Sequence, residues 1–97
     1  MGRSNNIHSG IGLTDLIPRS SRKSFCGKAK TITTSDGWRF LLSYDIIMGA
    51  YDKDGKPHRY SNYHSLTTGC HVKSFFRDSD NFWKLPLEKQ PTVRVSL

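Results

Sequence analysis

The sequence predicts an α+β fold: a small antiparallel sheet of three to five strands, one helix packed on a face, and a basic N-terminal arm. Three observations predict it: apolar residues that alternate with polar ones after residue 29, Asp-Gly pairs typical of tight turns, and an apolar stripe with helical spacing near residue 72. A chain of 97 residues is the size of one small domain. We expect this domain to span residues 25–97, after the arm at residues 1–24.

The predicted arm is set apart by its composition, because Ser, Asn, Gly and basic residues dominate it. Thr14 and Asp15 could begin a short helical turn, which Pro18 would end. The arm finishes in a basic run, PRSSRKSF, that has no regular periodicity. We therefore expect a flexible segment that precedes the sheet.

Residues 25–63 predict most of the sheet. The segment FCGKAKTITTSDGWRFLLSY indicates a β-hairpin with Asp36-Gly37 as a type I′ turn. In its second strand Phe40 and Leu41 point to opposite faces, so both faces carry bulky apolar residues and the strand should be central. Further strands in meander order are expected at residues 46–51, at residues 58–63 after a turn at Asp54-Gly55, and in the final segment PTVRVSL.

One helix is expected between the last two strands. Thr67 or Thr68 would serve as its N-cap, and it would end near residues 77–78, before a loop at residues 81–90. Because His71 lies four residues before Phe75, the imidazole should pack at the edge of the core and hydrogen-bond a backbone carbonyl. The apolar stripe that faces the sheet consists of Val72, Phe75 and Phe76.

The strongest functional signal is positive charge. Fifteen Lys and Arg residues against eight Asp and Glu give a net charge of +7, which favours polyanionic partners such as nucleic acid, a ribonucleoprotein or a phosphorylated small molecule. Four tyrosines, Tyr44, Tyr51, Tyr60 and Tyr63, offer surfaces on which bases could stack. The predicted anion-binding residues are Arg19, Arg22, Lys23, Lys28, Lys30, Arg39, Arg59 and Lys73.

Metal and enzyme chemistry are disfavoured by the motifs. His64, Cys70 and His71 are metal-capable, but they lack the two close pairs that structural zinc sites use. Cys70 in the first turn of the helix would be the nucleophile of an enzyme, yet the chain has no phosphate-binding loop, no nucleophile elbow and no zinc-protease motif. We therefore predict a non-enzymatic protein without a metal or cofactor.

The sequence also bears on location. No apolar leader is visible at the N-terminus, and no run approaches the roughly 18 apolar residues of a membrane span. Two cysteines, Cys26 and Cys70, do not make a disulfide framework. We expect a cytoplasmic protein with reduced thiols and no membrane partner.

Three segments carry a resemblance: RKSFCGKA from Arg22, LLSYDIIMGAYD from Leu41 and YHSLTTGCHVKSFF from Tyr63. In this order and spacing they resemble a family of small bacteriophage and prophage proteins with the pattern RKSF-x-GKA, then SY, then YS-x-TT-x-x-H-hydrophobic-x-x-F. The chain departs from that pattern at Cys26 and at Gly69-Cys70. The resemblance implies a phage context, hence the cytoplasm of a host cell, and no catalytic residue.

These observations leave several functions open. The leading hypothesis is a phage accessory protein that binds nucleic acid or a host complex containing it, in host takeover or in inhibition of host defence. A second is an oligomeric sponge for a phosphorylated nucleotide signal, held by the basic residues and the helix N-terminus at Thr67-Thr68. A third is a basic protein-interaction module that inhibits an acidic host protein.

Overall fold

A six-stranded mixed sheet and two helices make up the part of the chain that the structure describes, residues 7–16, 28–63 and 65–95 of a computed structural model. Strands β1 to β5 form an antiparallel meander, and β6 returns to pair in parallel with β1. The order across the sheet is therefore β5-β4-β3-β2-β1-β6. The elements are β1 (Ile7–Asp15), β2 (Ala29–Thr34), β3 (Arg39–Ser43), β4 (Ile46–Tyr51), β5 (Pro57–Arg59), α1 (Leu66–Phe75), α2 (Ser79–Phe82) and β6 (Thr92–Val95).

The α+β class and the helix on one face are confirmed, but the sheet is larger than predicted and is not purely antiparallel. Strand β1 accounts for both differences, because it lies between β2 and β6 instead of forming part of an arm. The sequence did not indicate β1, because the buried positions of this strand hold His8 and Gly10 where large apolar residues are usual. The helical turn expected at Thr14-Asp15 is wrong, and residues 1–6 and 17–24 of the predicted arm lie outside the described residues.

Two of the hairpin loops have the same hydrogen-bonding pattern. Gly37 donates its N–H to the carbonyl of Thr34 at 3.1 Å, and Thr34 donates to the carbonyl of Trp38 at 3.0 Å. Of the loop residues 35–37, only Gly37 has a positive φ, 88°. A type I′ turn needs two such residues, so this prediction is wrong: the loop is a three-residue one closed by a left-handed glycine. The loop from Asp52 to Lys56 repeats it, with Gly55 at φ 83°.

The core lies on both faces of the sheet, and the central position predicted for β3 is confirmed. Leu41 packs with the helices, in a cluster formed by Leu41, Met48, Val72, Phe75, Phe76 and Phe82. Phe40 packs on the opposite face, in a cluster formed by Ile32, Phe40, Ile47, Ala50 and Tyr60. We call this second face the Phe40 face. The sheet is curled, with bulges between Gly10 and Gly12 and between Leu41 and Leu42.

Helix α1 begins two residues earlier than expected. Ser65 is its N-cap, and the Ser65 hydroxyl oxygen accepts the N–H of Thr68 at 3.1 Å. Thr67 and Thr68 lie inside the first turn, so the predicted threonine cap is wrong. The helix ends at Phe75 because Phe76 is already extended, with φ −95° and ψ 138°. The predicted stripe is confirmed, since Val72, Phe75 and Phe76 are all buried.

The segment after α1 does more than connect two elements. Part of the predicted loop forms α2, whose Phe82 is buried against Phe76 with ring centroids 4.4 Å apart. The chain then runs beside β5, where Glu88 donates its N–H to the carbonyl of Arg59 at 2.8 Å. The Gln90 side-chain amide donates to the carbonyls of Ile47 and Tyr60 at 2.9 and 2.8 Å. The Glu88 bond lies along the edge of β5. Strand β5 has three residues, fewer than the predicted 58–63.

Candidate nucleic-acid interface

Four of the eight acidic residues are engaged with histidines or backbone N–H groups: Asp36, Asp52, Asp78 and Glu88. Asp36 lies 2.9 Å from Nδ1 of the buried His8, and it also accepts the hydroxyl of Thr34. On the Phe40 face of β5, His58 lies between two carboxylates, with Nε2 2.9 Å from Asp52 and Nδ1 2.8 Å from Glu88. Both ring nitrogens can donate to these carboxylates only in the imidazolium form.

The pKa values follow from these contacts. Burial alone would lower the pKa of His58, but the hydrogen bonds to Asp52 and Glu88 outweigh it and raise the pKa above its ordinary value. Burial would raise the pKa of Asp52, yet the bonds from His58 and from the backbone N–H groups of Lys56 and Asp54 lower it. The pKa of Asp36 is lowered in the same way, against burial, by Thr34 and His8.

Most of the described positive side chains have no carboxylate beside them. Among the residues that the structure describes, Lys30 is the only Lys or Arg with a carboxylate oxygen within 4.0 Å, that of Asp15 at 3.0 Å. The other described lysines and arginines are exposed, except Arg59, which is half-buried and bonded to the carbonyl of Leu85. An uncompensated positive surface is the electrostatic feature that phosphate binding needs.

Three of the predicted anion-binding residues, Lys28, Lys30 and Arg39, belong to the first hairpin, and the sheet separates two of them. Lys30 stands opposite Leu42, and Arg39 stands opposite Thr33. Leu42 and Arg39 are an odd number of residues apart on β3, so Lys30 and Arg39 point to opposite faces. Lys28 is exposed just before β2. The strand register, which local spacing does not specify, decides this separation.

The remaining predicted residues are dispersed. Arg59 donates its Nε–H to the carbonyl of Leu85 at 2.9 Å and so holds the segment beside β5. Lys73 is exposed on α1, where it borders a groove of about 320 Å³ lined by Ser65, Leu66, Gly69, Cys70, Lys73, Ser79, Asp80 and Trp83. Arg19, Arg22 and Lys23 lie outside the described residues.

A different grouping forms around Tyr51, which we call the Arg39–Tyr51–Arg77 cluster. The Arg39 guanidinium carbon lies 5.2 Å from the centre of the Tyr51 ring, and Arg39 and Tyr51 are direct partners across β3 and β4. Arg77 follows α1 and donates its backbone N–H to the Tyr51 hydroxyl at 2.9 Å. Both arginine side chains are exposed, and Tyr51 is half-buried. An exposed guanidinium beside an aromatic ring, as at Arg39, suits phosphates and bases, and Arg77, whose backbone N–H bonds the same tyrosine, adds a second exposed positive charge.

Sequence reasoning identified Arg39 and Tyr51 but did not place Arg77 among the binding residues. The helix was expected to end near residues 77–78, whereas it ends at Phe75 and leaves the Arg77 backbone N–H to bond Tyr51. The other tyrosines differ in role. Tyr60 is buried, and burial raises its pKa, while Tyr44 and Tyr63 are exposed away from this cluster.

The helix N-terminus is occupied by the chain itself. The N–H groups of Thr68 and Gly69 donate to the hydroxyl and the carbonyl of Ser65. His71 is fully buried, with Nδ1 2.8 Å from the Ser43 hydroxyl. Cys70 lies on the groove instead, so the adjacent pair does not share a site. In residues 7–16, 28–63 and 65–95, no three His, Cys, Asp or Glu side chains are grouped to hold a metal.

The fold and the surface define a small basic domain built on a curled mixed sheet. The chain belongs to a family of unknown function, DUF8033, whose model matches residues 14–88. No curated protein and no solved structure matches the sequence. Neither helix within the described ranges has the length and apolarity that a membrane crossing requires.

Proposed function

We propose that this protein is a non-enzymatic accessory protein that binds nucleic acid, or a host complex containing it, through the Arg39–Tyr51–Arg77 cluster. In a phage, such binding would serve host takeover or inhibition of host defence. The observation that carries the proposal is the pair of exposed arginines, joined through one tyrosine and without a carboxylate within 4.0 Å among the described residues.

The chemistry of the cluster fits phosphodiesters. A guanidinium offers donors in a planar fork that matches two phosphate oxygens, and it keeps its charge at every physiological pH. The Arg39 position above Tyr51 and 6.0 Å from the Phe75 ring keeps the guanidinium near aromatic surface while its charge stays exposed. The tyrosine edge adds a surface for a base.

A titration tests the proposal directly. Fluorescence anisotropy with labelled single-stranded DNA, single-stranded RNA and duplex DNA, each of about 12 nucleotides per strand, would be measured between about 50 and 200 mM salt. The double variant Arg39→Gln/Arg77→Gln should bind at least about tenfold more weakly at the lowest salt. The slope of log K against log salt should become shallower by about 1.4 for a single strand, because two phosphate contacts are lost.

A matched control separates this cluster from net charge. Lys84→Gln/Lys89→Gln removes the same charge from two exposed lysines, one after α2 and one beside β5. This variant should retain most of the affinity. Equal losses in both double variants would show that only overall charge acts, and absence of binding to all three ligands at the lowest salt would overturn the proposal.

A further inference from the structure

Among the described residues, the sheet face that carries the helices is covered over only part of its width. Helix α1 packs against β3 and α2 against β5, and at the near ends of β2 and β1 only Ala29 and Leu16, the residue after β1, join the buried helix side. The uncovered part is polar. We call it the open sheet face, and it is formed by Ser9, Thr14, Thr31 and Thr33.

The strand register shows that these side chains share one side. Thr14 stands opposite Thr31, which stands opposite Leu41, a residue of the helix-side core. Thr33 stands opposite Arg39 in the same two strands. Directly paired residues in a sheet point to the same face, so the threonines lie on the helix side.

The same reasoning extends across β1. An extra residue, Ile11, is inserted at the bulge, so Ser9 returns to the helix side and pairs with Arg94 of β6. His8 precedes Ser9 and therefore points to the opposite face, where it packs against Phe40.

Charge and hydrogen bonding set this face apart. Arg39 and Arg94 are exposed on either side of it, whereas the nearby carboxylate of Asp15 pairs with Lys30 on the Phe40 face. Within the described residues, no side-chain hydrogen bond engages the four hydroxyls of the open sheet face. Hydroxyls elsewhere are used inside the fold, such as those of Thr34, Ser43 and Ser65.

The dimensions suit a single strand. Arg39 on β3 and Arg94 on β6 are separated by three strand spacings, or about 14 Å across the sheet. Helix α1 stands as a layer about 10 Å high over β3, so the open sheet face is a narrow ledge beside a wall. A single strand can lie along such a ledge with its bases turned outward, whereas a rigid duplex would meet the helix.

We infer that the open sheet face is the track for the backbone of a single-stranded nucleic acid, an inference that requires the nucleic-acid binding proposed above. Arg39 and Arg94 hold phosphates at its two sides, and the threonine and serine hydroxyls donate to phosphate and sugar oxygens between them. Ile11, 70% exposed at the bulge, offers an apolar contact to a base.

Removal of the hydroxyls alone provides the test. Thr31→Val/Thr33→Val keeps the β-branched shape and the strand preference while it deletes two hydrogen-bond donors. We expect single-strand affinity to fall at least about fourfold, because two hydrogen bonds are lost and each is worth a factor of about two to ten. Arg94→Gln should weaken binding and make the salt slope shallower by about 0.7, and Lys89→Gln is its matched control. The unchanged protein should prefer the single strand to a duplex of the same sequence by at least about tenfold.

The outcomes separate the two proposals. Loss of binding to every nucleic acid in the unchanged protein would remove the proposed function and this track with it. Retained nucleic-acid binding that Thr31→Val/Thr33→Val leaves unaltered, or a preference for the duplex, would overturn the track and leave the Arg39–Tyr51–Arg77 cluster standing. Thermal melting of each variant shows whether the fold is intact, and Arg94→Gln tests the same track at a surface position if the valine variant unfolds.

Discussion

Gly49 is the residue at which the packing of the molecule is tightest. A Cβ atom at this position would lie 2.5 Å from the carbonyl oxygen of His58, 2.6 Å from Phe82 and 2.7 Å from Phe76. Real Cβ atoms do not approach other atoms so closely, and one of the three obstacles is backbone. A glycine in the middle of β4 therefore lets the strand meet the helix-side aromatic rings directly.

Gly49→Ala should consequently lower the free energy of unfolding by about 1–3 kcal/mol, the usual range for overpacking a core. Urea denaturation followed by circular dichroism would measure it. Gly12→Ala is the matched control, because its Cβ would lie 3.7 Å from Thr33, an ordinary contact. The control should be neutral or stabilising by up to about 1 kcal/mol. Equal effects at the two positions would contradict the packing account.

The backbone conformation of Tyr44 is one that its residue type does not predict. It is the last residue of the predicted hairpin segment, but it has φ 57° and forms the two-residue turn between β3 and β4 with Asp45. Its ring lies 5.7 Å from His71, and its N–H donates to the carbonyl of Lys28 at 2.7 Å. A left-handed tyrosine carries no local signature, because Asn, Asp or Gly usually occupies such positions.

Helix α1 illustrates the element scale. Ser65 caps it although two threonines follow, because the residue with extended backbone, φ −122° and ψ 169°, is the one whose side chain can reach back to a first-turn N–H. Thr68 is buried instead, with its hydroxyl 3.4 Å from that of Ser43. The helix is thus positioned by its cap at one end and by contacts to β3 along its length.

Ser65→Ala should cost about 1 kcal/mol of stability, since it removes the acceptor for the Thr68 N–H. Thr67→Ala should change stability by less than about 0.5 kcal/mol, because the Thr67 side chain makes no capping bond. Thermal or urea unfolding of the two variants would show the difference. A larger loss from Thr67→Ala than from Ser65→Ala would restore the threonine cap that the sequence predicts.

At the scale of the whole molecule, two histidines join distant parts of the chain through contacts with carboxylates. His58 links the β4–β5 loop to the segment beside β5, through Asp52 and Glu88. His8 links β1 to the β2–β3 turn through Asp36. Both histidines also pack on Trp38, with ring centroids 4.9 Å apart in each case. Stability should therefore depend on pH.

The direction of that dependence follows from the pKa shifts. The pKa of His58 is raised, so its contribution is fully present below about 6.5, the unfolded value, and is lost as the pH rises through the folded pKa. The pKa values of Asp52 and Asp36 are lowered, so their contributions are present above about 3.8 and are lost as the pH falls through the folded values. These groups together favour maximal stability between about pH 4 and pH 6.5.

Urea unfolding at a series of pH values from about 3 to about 9 would test this dependence. His58→Gln should abolish the decline above about pH 6.5 and leave the acid decline from Asp36 in place. An unchanged decline at neutral and alkaline pH in this variant would contradict the role assigned to His58.

Local patterns predicted the parts of the fold that depend on neighbouring residues. The alternation of Phe40 and Leu41 predicted a central strand, and the spacing of Val72, Phe75 and Phe76 predicted the buried stripe of α1. Strand β1 escaped prediction because pairing on both sides stabilises a sequence with few apolar residues. Likewise, Arg77 joined the candidate interface only because the helix ends before it.

The sequence by itself determined the class of fold, the positions of the glycine turns, the helix stripe and the excess of positive charge, since each arises from composition or from residues within a few positions of one another. Only the tertiary structure decided that Lys30 and Arg39 lie on opposite faces, that His58 meets both Asp52 and Glu88, and that Arg39 and Arg94 border one open sheet face. These relations depend on strand register and on contacts between residues remote in the chain, which a one-residue shift in pairing would reverse.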